Sequence, residues 1–323
     1  MKTPLVSIII PVHNAERYID RCIESILEQD YKNYEIIAVV DNSQDASLAI
    51  LNKYASENMK LKIIESSAGS PGGARNNGLK SASGDLIMFV DADDALYSGA
   101  ISRLFDVMES TESEIVVGAY SGDEVVEQPK KSITVYGFEK ARIKMLYQEI
   151  SAAPWAKLYR AETIGKMRFP DYMMAEDKLF NYLVFSKAKQ IAVDNQYCYR
   201  YIQNESGLVL KPFSVERMDG LKAIADMEKI ATENNESEEI MEAIKCCYFF
   251  DAFSDLYTIK NTKSGKKKFG KEYKYLSGVV KQNAQAVIDS KYASKRQKRF
   301  AKNMKRSISG TLSAMKIVGK IRS

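Results

Sequence analysis

Short apolar runs alternate with segments of helical apolar spacing through the first third of the chain, and this alternation limits the fold more than any other feature. Apolar, β-branched runs stand at Val6–Ile10, Glu35–Val40, Leu61–Ile64, Leu86–Val90 and Ile115–Gly118. Between the runs, apolar residues recur at the three- and four-residue spacing of amphipathic helices. Strands that alternate with helices across short loops predict a mostly parallel, twisted sheet with helices on both faces.

The pattern changes in the second half of the chain. Residues 177–188 have helical spacing, and two short strands are predicted around Ile191–Val193 and Tyr197–Ile202. Strand signals end near Leu210, and from Ser214 onward the spacing is helical only. We therefore predict an α/β domain over residues 1–210 and an all-helical region over residues 211–323 that ends in a basic amphipathic tail.

Composition places the chain among ordinary globular proteins. Hydrophobic residues make up 45% and charged residues 28%, which excludes wholesale disorder. No apolar run reaches the ~18 residues of a transmembrane helix, and the N-terminal run is interrupted at Pro11, which favours a strand over a signal peptide. The four cysteines form no CxxC pair, so we expect a reduced, cytoplasmic setting.

Basic residues concentrate at the C-terminus. Residues 260–323 hold 19 Lys and Arg against two acidic residues, whereas residues 1–259 hold 28 basic and 40 acidic residues. An apolar stripe runs through this basic segment at Phe300, Met304, Ile308, Leu312 and Met315. The pattern predicts peripheral binding of an anionic membrane surface through residues 291–318. Packing of the stripe on its own domain is a nearly equal alternative. A homo-oligomer is a further possible partner, and no sequence motif supports nucleic-acid binding.

Three carboxylates follow directly on the fourth predicted strand, at Asp91, Asp93 and Asp94. Strand alternation directs Asp91 and Asp93 to the same side, at the carboxyl end of the strand. Oxygen ligands in this arrangement suit Mg²⁺ or Mn²⁺ shared with substrate phosphates. A solvated acidic turn that caps the next helix explains the motif alone equally well.

The loops after the second and third predicted strands also carry polar chemistry. Asp41 ends the second strand, and a glycine-rich stretch, Gly69–Gly78, follows the third. Glycines permit close approach of a ligand to the backbone, and Arg75 offers a planar fork for phosphate or a base edge. A flexible surface loop is the alternative for the glycines alone. Ligands of parallel sheets bind at the carboxyl ends of the strands, which favours a shared site.

The ordered set of these segments resembles the family 2 glycosyltransferases. The segments are Val6–Asn14, Asp41–Asp45, Gly72–Gly78 and Val90–Asp94, and Pro154–Arg160, Ala175–Phe180 and Tyr197–Tyr201 are similar to later blocks of bacterial members. The resemblance covers residues 4 to about 206 and implies a glycosyltransferase-A, Rossmann-like fold for the catalytic domain over residues 1–210. It further implies a nucleotide-sugar donor, here a UDP-sugar, and inversion at the anomeric carbon.

The resemblance also implies roles for individual residues. Donor-binding positions are Pro11, His13, Asn14, Asp41, Gly73, Arg75, Asp91, Ala92 and Asp93. Asp93 is the implied main ligand of Mn²⁺ or Mg²⁺, with Asp91 beside it. Asp177, paired with Glu176, is the implied catalytic base, although helix N-terminal charge is the simpler explanation of that pair alone. Acceptor-binding candidates are Trp155, Lys157 and Arg200. The alternative explanations are core packing for Trp155 and a surface ion pair for Arg200. Val40 and His13 depart from the family pattern.

The sequence therefore predicts a metal-dependent, inverting glycosyltransferase of the hexosyltransferase type. It would transfer sugar to a glycan acceptor, lipid-linked, in cell-surface polysaccharide synthesis at the inner face of the cell membrane. One alternative is a nucleotidyltransferase, which would release pyrophosphate where a glycosyltransferase releases UDP. The other is a non-enzymatic basic scaffold at the membrane, which would not bind the donor.

Overall fold

The computed structural model describes residues 3–122, 126–202 and 212–321, with side chains up to residue 314. The chain divides into two compact units, Met1–Arg142 with Ala152–Gly207, and Ile143–Ser151 with Leu208–Ser323. The domain boundary predicted at residue 210 lies outside the described residues, so it stays a prediction.

The first unit is an α/β structure. Its strands are β1 (Val6–Val12), β2 (Tyr34–Asp41), β3 (Leu61–Ser66), β4 (Leu86–Phe89), β5 (Ala95–Leu96), β6 (Ile115–Ser121), β7 (Ile133–Gly137), β8 (Lys157–Arg160) and β9 (Gln190–Arg200). Its helices are α1 (Ile19–Leu27), α2 (Ser47–Glu57), α3 (Pro71–Ser81), α4 (Ala100–Thr111), α5 (Phe138–Leu146), which begins in this unit, α6 (Ala161–Ile164) and α7 (Glu176–Phe185).

The described strands form one sheet in the order β3-β2-β1-β4-β8-β6-β9-β5, with β7 also paired to β9. Strands β1 to β4 are parallel to one another, whereas β8 is antiparallel to both β4 and β6. Two reversals restore the direction, so β6 and its parallel partner β9 run the same way as β4. The carboxyl ends of β1 to β4, β6 and β9 therefore share one edge, as the sequence predicted for a mostly parallel sheet.

Helices cover both faces of this sheet. Successive side chains of β1 point to opposite faces, so they contact helices on both sides. Ile8 and Ile10 are fully buried in the hydrophobic core that also contains residues of α1 and α4. Ile9 faces α3 instead, at Gly78, where an added Cβ would lie 2.3 Å from Ile9 Cγ2. The missing side chain lets α3 approach the sheet closely.

One local prediction is wrong. The two short strands predicted near the end of the unit are one strand, β9. Asp194 in its middle is buried and accepts a 2.6 Å hydrogen bond from Arg103, so the strand continues. Asn14 precedes α1, which begins at Ile19, and takes a left-handed φ of 50°.

The second unit is helical throughout its described residues, as predicted. Its elements are a 3₁₀ turn (Val215–Met218), α8 (Asp219–Glu233), α9 (Glu238–Asn261), α10 (Gly265–Lys268), α11 (Gly270–Asp289), α12 (Lys295–Arg306) and α13 (Ile308–Ile321). No helix in the described part of the chain is both long and apolar enough to cross a membrane.

The apolar stripe of the tail is packed into protein. Met304 and Leu312 are fully buried and Ile308 is 6% exposed. The ring of Phe300 lies 4.7 Å from that of Phe253 in α9, while the side chain of Met315 lies outside the described ones. The described residues of the stripe therefore pack against protein, as the alternative explanation predicted. The basic side chains around them, such as Lys302 and Arg306, are exposed.

Candidate functional site

The acidic turn, residues 91–94, follows β4 and is held mainly by its backbone. The carbonyl of Asp91 accepts hydrogen bonds from Asp94 N at 3.1 Å and from Cys22 Sγ at 3.6 Å. The carbonyl of Asp93 accepts one from Arg21 Nη2 at 2.6 Å. Residues of α1 thus fix the turn at the shared carboxyl edge of the sheet.

Arg75 joins three segments at this edge. Its guanidinium donates from Nη2 to Asp91 Oδ1 at 2.8 Å and from Nη1 to Glu176 Oε1 at 2.6 Å. Arg75 is 5% exposed, and its Nε has no hydrogen-bond partner among the described residues. The sequence suggested that its fork faces a ligand, but the two terminal nitrogens bind protein carboxylates. One buried cation therefore connects α3, the acidic turn and the start of α7.

Most of the glycine-rich stretch, from Pro71 to Gly78, belongs to helix α3 and is not a loose loop. Ser70 caps the helix by accepting a hydrogen bond from Gly73 N at 3.1 Å, and Pro71 stands at the first helical position. A Cβ on Gly72 would lie 2.9 Å from Glu176 Cγ, and one on Gly73 would lie 2.6 Å from Ala68 Cβ. The glycines let α3 pack closely against the neighbouring segments.

Asp41 organises the loop between β3 and α3. Its carboxylate accepts hydrogen bonds from Ser66 Oγ at 2.9 Å, Ala68 N at 2.6 Å and Gly69 N at 2.9 Å. The carbonyl of Asp41 lies 2.7 Å from Nδ1 of His13, the residue that follows β1. These contacts bring the ends of β1, β2 and β3 together.

The remaining donor candidates lie at the same edge. Asn14 connects the loops after β1 and β2. Its backbone N–H donates to Ser43 Oγ at 3.1 Å, and its side-chain Oδ1 accepts a hydrogen bond from Gln44 N at 2.8 Å. Pro11 belongs to β1, and Ala92 is a buried residue of the acidic turn. The sheet thus collects the predicted donor-binding residues from four loops.

The acidic turn is also connected to β9, and the sequence alone does not show this connection. Asp94 is 1% exposed and accepts hydrogen bonds from Tyr199 Oη at 2.6 Å and Ile202 N at 2.8 Å. The same hydroxyl accepts one from Asp91 N at 3.1 Å. Burial, and after it the charge of Asp91, raises the pKa of Asp94 to about 8. Tyr199 therefore bonds both ends of the turn, an arrangement that the sequence does not reveal because the partners are 105 residues apart.

We expect the substitution Tyr199→Phe to lower the free energy of unfolding by roughly 1–3 kcal/mol, because it leaves buried polar partners unsatisfied. Urea denaturation of the full chain measures the difference. Tyr120→Phe is the control, since Tyr120 is 47% exposed and we expect no change there. Equal stabilities of the wild type and Tyr199→Phe would contradict this role of the hydroxyl.

Helix α7 begins with the two predicted catalytic carboxylates. Glu176 is bound to Arg75, as described above, whereas Asp177 Oδ1 accepts a 2.7 Å hydrogen bond from Lys178 N. Burial, and after it the charge of Glu176, raises the pKa of Asp177 to about 6, although the charge of Arg75 opposes the shift. A carboxylate with a raised pKa is a stronger proton acceptor, so Asp177 is the better candidate for a general base.

The predicted acceptor residues are mostly interior. Trp155 is 8% exposed and stacks on Tyr199 with ring centroids 4.8 Å apart. Lys157 is fully buried, its Nζ donates to Ala153 O at 2.6 Å, and burial lowers its pKa to about 7. The amine of Lys157 thus points into protein, and its contact with an acceptor stays a prediction. Arg200 ends β9 and is half-buried.

The acidic turn fits a metal that shares its coordination with substrate. Within the described residues, no three His, Cys, Asp or Glu side chains converge as a complete cation site. Asp91 and Asp93 supply carboxylate oxygens, although one oxygen of Asp91 is bound to Arg75. Mg²⁺ and similar ions are commonly held by one or two carboxylates together with substrate phosphates. The donor set present therefore matches a cation that arrives with a diphosphate.

Comparison with known proteins adds independent findings. The model of glycosyl transferase family 2 matches residues 7–166. A poly(ribitol-phosphate) beta-glucosyltransferase of Bacillus spizizenii is 34% identical over 211 residues, which are 62% of this chain and 33% of that protein. An uncharacterized glycosyltransferase of Haemophilus influenzae is 31% identical over 191 residues, 59% of this chain and 75% of that protein. The match with the Bacillus relative thus spans about a third of its length.

A solved structure has the same fold. The crystal structure of S. aureus TarS 1-349 in complex with UDP aligns with a TM-score of 0.59 at 20% identity, over 93% of this chain and 87% of that one. The glycosyltransferase-A fold predicted from the sequence is confirmed.

Proposed function

The chain belongs to glycosyltransferase family 2, and from this premise we propose that it transfers a sugar from a UDP-sugar to a glycan acceptor with inversion at the anomeric carbon. The observation that carries the proposal is the arrangement around Arg75, which links the acidic turn to the start of α7. Leaving-group chemistry and proton-transfer chemistry thereby lie at one edge of one sheet. The UDP bound to TarS and the transfer of glucose to poly(ribitol-phosphate) in the name of the Bacillus relative support the donor class and a role in cell-surface polysaccharide synthesis.

The donor lies along the carboxyl edge of the sheet. The loops that Asp41 and His13 organise hold the nucleoside, and Asn14, Pro11, Gly73 and Ala92 shape the surrounding backbone. The diphosphate points toward the acidic turn. Asp93 and Asp91 would hold a divalent cation there, Mn²⁺ or Mg²⁺, which would supply positive charge for the leaving diphosphate.

Asp177 accepts the proton of the acceptor hydroxyl as that oxygen bonds to the anomeric carbon. The bond from the anomeric carbon to the diphosphate oxygen breaks in the same step, and its electron pair leaves with UDP. Glu176 keeps Arg75 in place, and Arg75 in turn fixes the carboxylate of Asp91. Arg75 and Glu176 are thus positioning residues, while Asp177 acts on the substrate.

A donor screen tests the proposal. The full chain is incubated with a panel of nucleotide-sugars and Mn²⁺, and the released nucleotide is separated by anion-exchange chromatography. Release of UDP supports sugar transfer or donor hydrolysis. In a parallel incubation with UTP and a sugar 1-phosphate, release of pyrophosphate would show a nucleotidyltransferase, and absence of any UDP binding would favour a non-enzymatic scaffold. Either of the last two results contradicts the proposal.

The raised pKa of Asp177 predicts the acidic limb of the pH profile. A base must be ionised, so activity is present above its pKa in the folded protein and is lost as the pH falls through that value. We expect kcat/KM to fall below a pH of about 6, the pKa to which burial and Glu176 raise this carboxyl. Turnover measured at saturating metal over a pH series, with circular dichroism to confirm folding, checks this. An acidic limb near pH 4, the ordinary range of an aspartate, would contradict it.

The acceptor belongs, in our proposal, to a lipid-linked glycan at the inner face of the cell membrane. Since the apolar stripe is packed into protein, the contact relies on exposed basic side chains of α12 and not on insertion of Met304 or Leu312. Helix α12 carries seven basic residues and no acidic one. Such a helix surface is attracted to anionic headgroups without entering the bilayer.

We expect vesicles with anionic lipid to bind the full chain and neutral vesicles to bind it poorly, with binding weakened by salt. Each Lys or Arg near the surface contributes about 1 kcal/mol, so removal of three charges should weaken binding roughly 100-fold. The test variant is Lys295→Gln, Arg299→Gln and Lys302→Gln in α12. The matched control is Lys222→Gln, Lys229→Gln and Lys245→Gln, exposed lysines of α8 and α9. Equal loss in both variants, or equal binding to neutral vesicles, would reject the membrane surface.

A further inference from the structure

Four aromatic side chains assemble at the carboxyl ends of β6 and β9, and we refer to them as the aromatic cluster: Tyr120, Trp155, Tyr199 and Tyr201. The indole of Trp155 stacks on Tyr199 with ring centroids 4.8 Å apart and 9° between planes, and on Tyr201 at 5.7 Å and 24°. The ring of Tyr120 meets the indole edge-on at 4.8 Å and 82°. One tryptophan thus contacts three tyrosines.

The cluster has a buried half and an exposed half. Tyr199 is fully buried and Trp155 is 8% exposed, whereas Tyr120 is 47% exposed and Tyr201 is half-buried. A single exposed tyrosine is ordinary on a protein surface. Tyr120 differs because a nearly buried indole fixes its ring, so it presents a rigid aromatic surface to solvent at little entropic cost on binding.

The aromatic cluster adjoins the acidic turn. The hydroxyl of Tyr199 bonds Asp91 N and Asp94, as described above. Burial raises the pKa of Tyr201, and the charges of Asp94, Asp93 and Asp91 raise it further, so this phenol lies within electrostatic range of the same carboxylates. Trp155 also forms an isolated β-bridge with Phe89, the last residue of β4.

Sheet order separates the aromatic cluster from the nucleoside end of the donor. The loops around Asp41 and His13 lie at the ends of β1, β2 and β3, the acidic turn follows β4, and the aromatic cluster lies beyond it at β6 and β9. A donor whose nucleoside lies at the first group and whose diphosphate lies at the turn directs its sugar toward the aromatic cluster. A partner for that sugar must approach from this side.

We propose that Tyr120 and Tyr201, supported by Trp155, form a subsite that binds a pyranose ring of the acceptor. This inference rests on the proposed function, since it assigns the second substrate of the same site. The C–H face of a pyranose is apolar and packs on an aromatic surface, while the tyrosine hydroxyls can hydrogen-bond its rim. A nearby aromatic surface with a few polar groups is the usual composition of a small-molecule site.

The experiment uses the full chain with UDP and Mn²⁺ and a panel of methyl glycosides of common hexoses and N-acetylhexosamines as probes. Saturation-transfer NMR reports which ring protons contact protein and gives the affinity by titration. We expect the wild type and Tyr120→Phe to bind at least one glycoside. Tyr120→Ala should bind that glycoside about tenfold more weakly, since an aromatic stacking contact is worth about 1 kcal/mol or more.

Phe138→Ala is the matched control. Phe138 is 43% exposed and begins α5 directly after β7, whose last residue pairs with the first residue of β9, at the opposite edge of the sheet. This variant should bind the glycoside as the wild type does. UDP affinity, measured by calorimetry, should be the same in all four proteins.

Three results would overturn the subsite. They are unchanged glycoside affinity in Tyr120→Ala, absence of glycoside binding by the wild type, and a fall of UDP affinity in Tyr120→Ala, which would assign the surface to the donor. The proposed function fails by a different measurement, when no nucleotide-sugar yields UDP. Tyr120-dependent glycoside binding in such a protein would still support a saccharide subsite.

Discussion

Substituting Asp177→Asn is expected to reduce kcat by about 10³-fold, because the amide keeps the size of the side chain but cannot accept a proton. Asp177 Oδ1 accepts a hydrogen bond from Lys178 N, and the amide oxygen of asparagine can accept the same bond. The start of α7 should therefore keep its structure. UDP affinity should stay within about twofold of the wild-type value, since the residue acts on the acceptor hydroxyl and not on the donor.

Glu176→Gln is the matched variant on the preceding residue. It weakens the ion pair with Arg75 and should lower stability and donor affinity, with kcat reduced less than in Asp177→Asn. Single-turnover assays with saturating donor compare the two variants. Normal transfer by Asp177→Asn together with loss of transfer in Glu176→Gln would show that the catalytic carboxylate has been assigned wrongly.

Asp93→Ala is expected to abolish detectable turnover and to weaken UDP binding in the presence of Mn²⁺ by about 10²-fold or more, because the diphosphate loses the cation that neutralises it. Without Mn²⁺ the wild type and the variant should bind UDP equally weakly. Calorimetric titration of UDP with Mn²⁺ or with chelator measures both states.

Asp106→Ala is the control for this loss of charge, since Asp106 is an exposed aspartate of α4. It should bind UDP and Mn²⁺ as the wild type does. Full activity of Asp93→Ala, or of the wild type in excess chelator, would contradict the metal assignment.

Periodicity was sufficient to predict β1 to β4, β6 and the helices between them because burial sets both patterns, whereas β5, β7 and β8 were not predicted. Alternate residues of β1 contact helices on opposite faces, so Ile8, Ile9 and Ile10 are all fully buried and read as one apolar run. The same logic placed α7 at Glu176–Asp177, where acidic residues precede an apolar repeat. The loops that carry polar residues then fell at one edge by topology alone.

Long-range pairing explains what the sequence could not show. Arg75 was expected to face a ligand, yet its terminal nitrogens bind Asp91 and Glu176, the second of which lies 101 residues away. Asp94 gave no sign of its bond to Tyr199. Two strands were predicted where β9 is continuous, because the sequence does not show that Asp194 is bound by Arg103 of α4. Buried polar residues are satisfied by partners that local patterns do not reveal.

The anomeric configuration of the product tests the central claim most directly. The UDP-α-sugar that the donor screen identifies is incubated with the full chain and a methyl glycoside acceptor, and ¹H NMR of the purified product gives the coupling of the new anomeric proton. Our account predicts a β linkage together with equimolar free UDP, since the acceptor hydroxyl displaces the diphosphate directly with Asp177 as base. An α linkage would contradict direct displacement at this site.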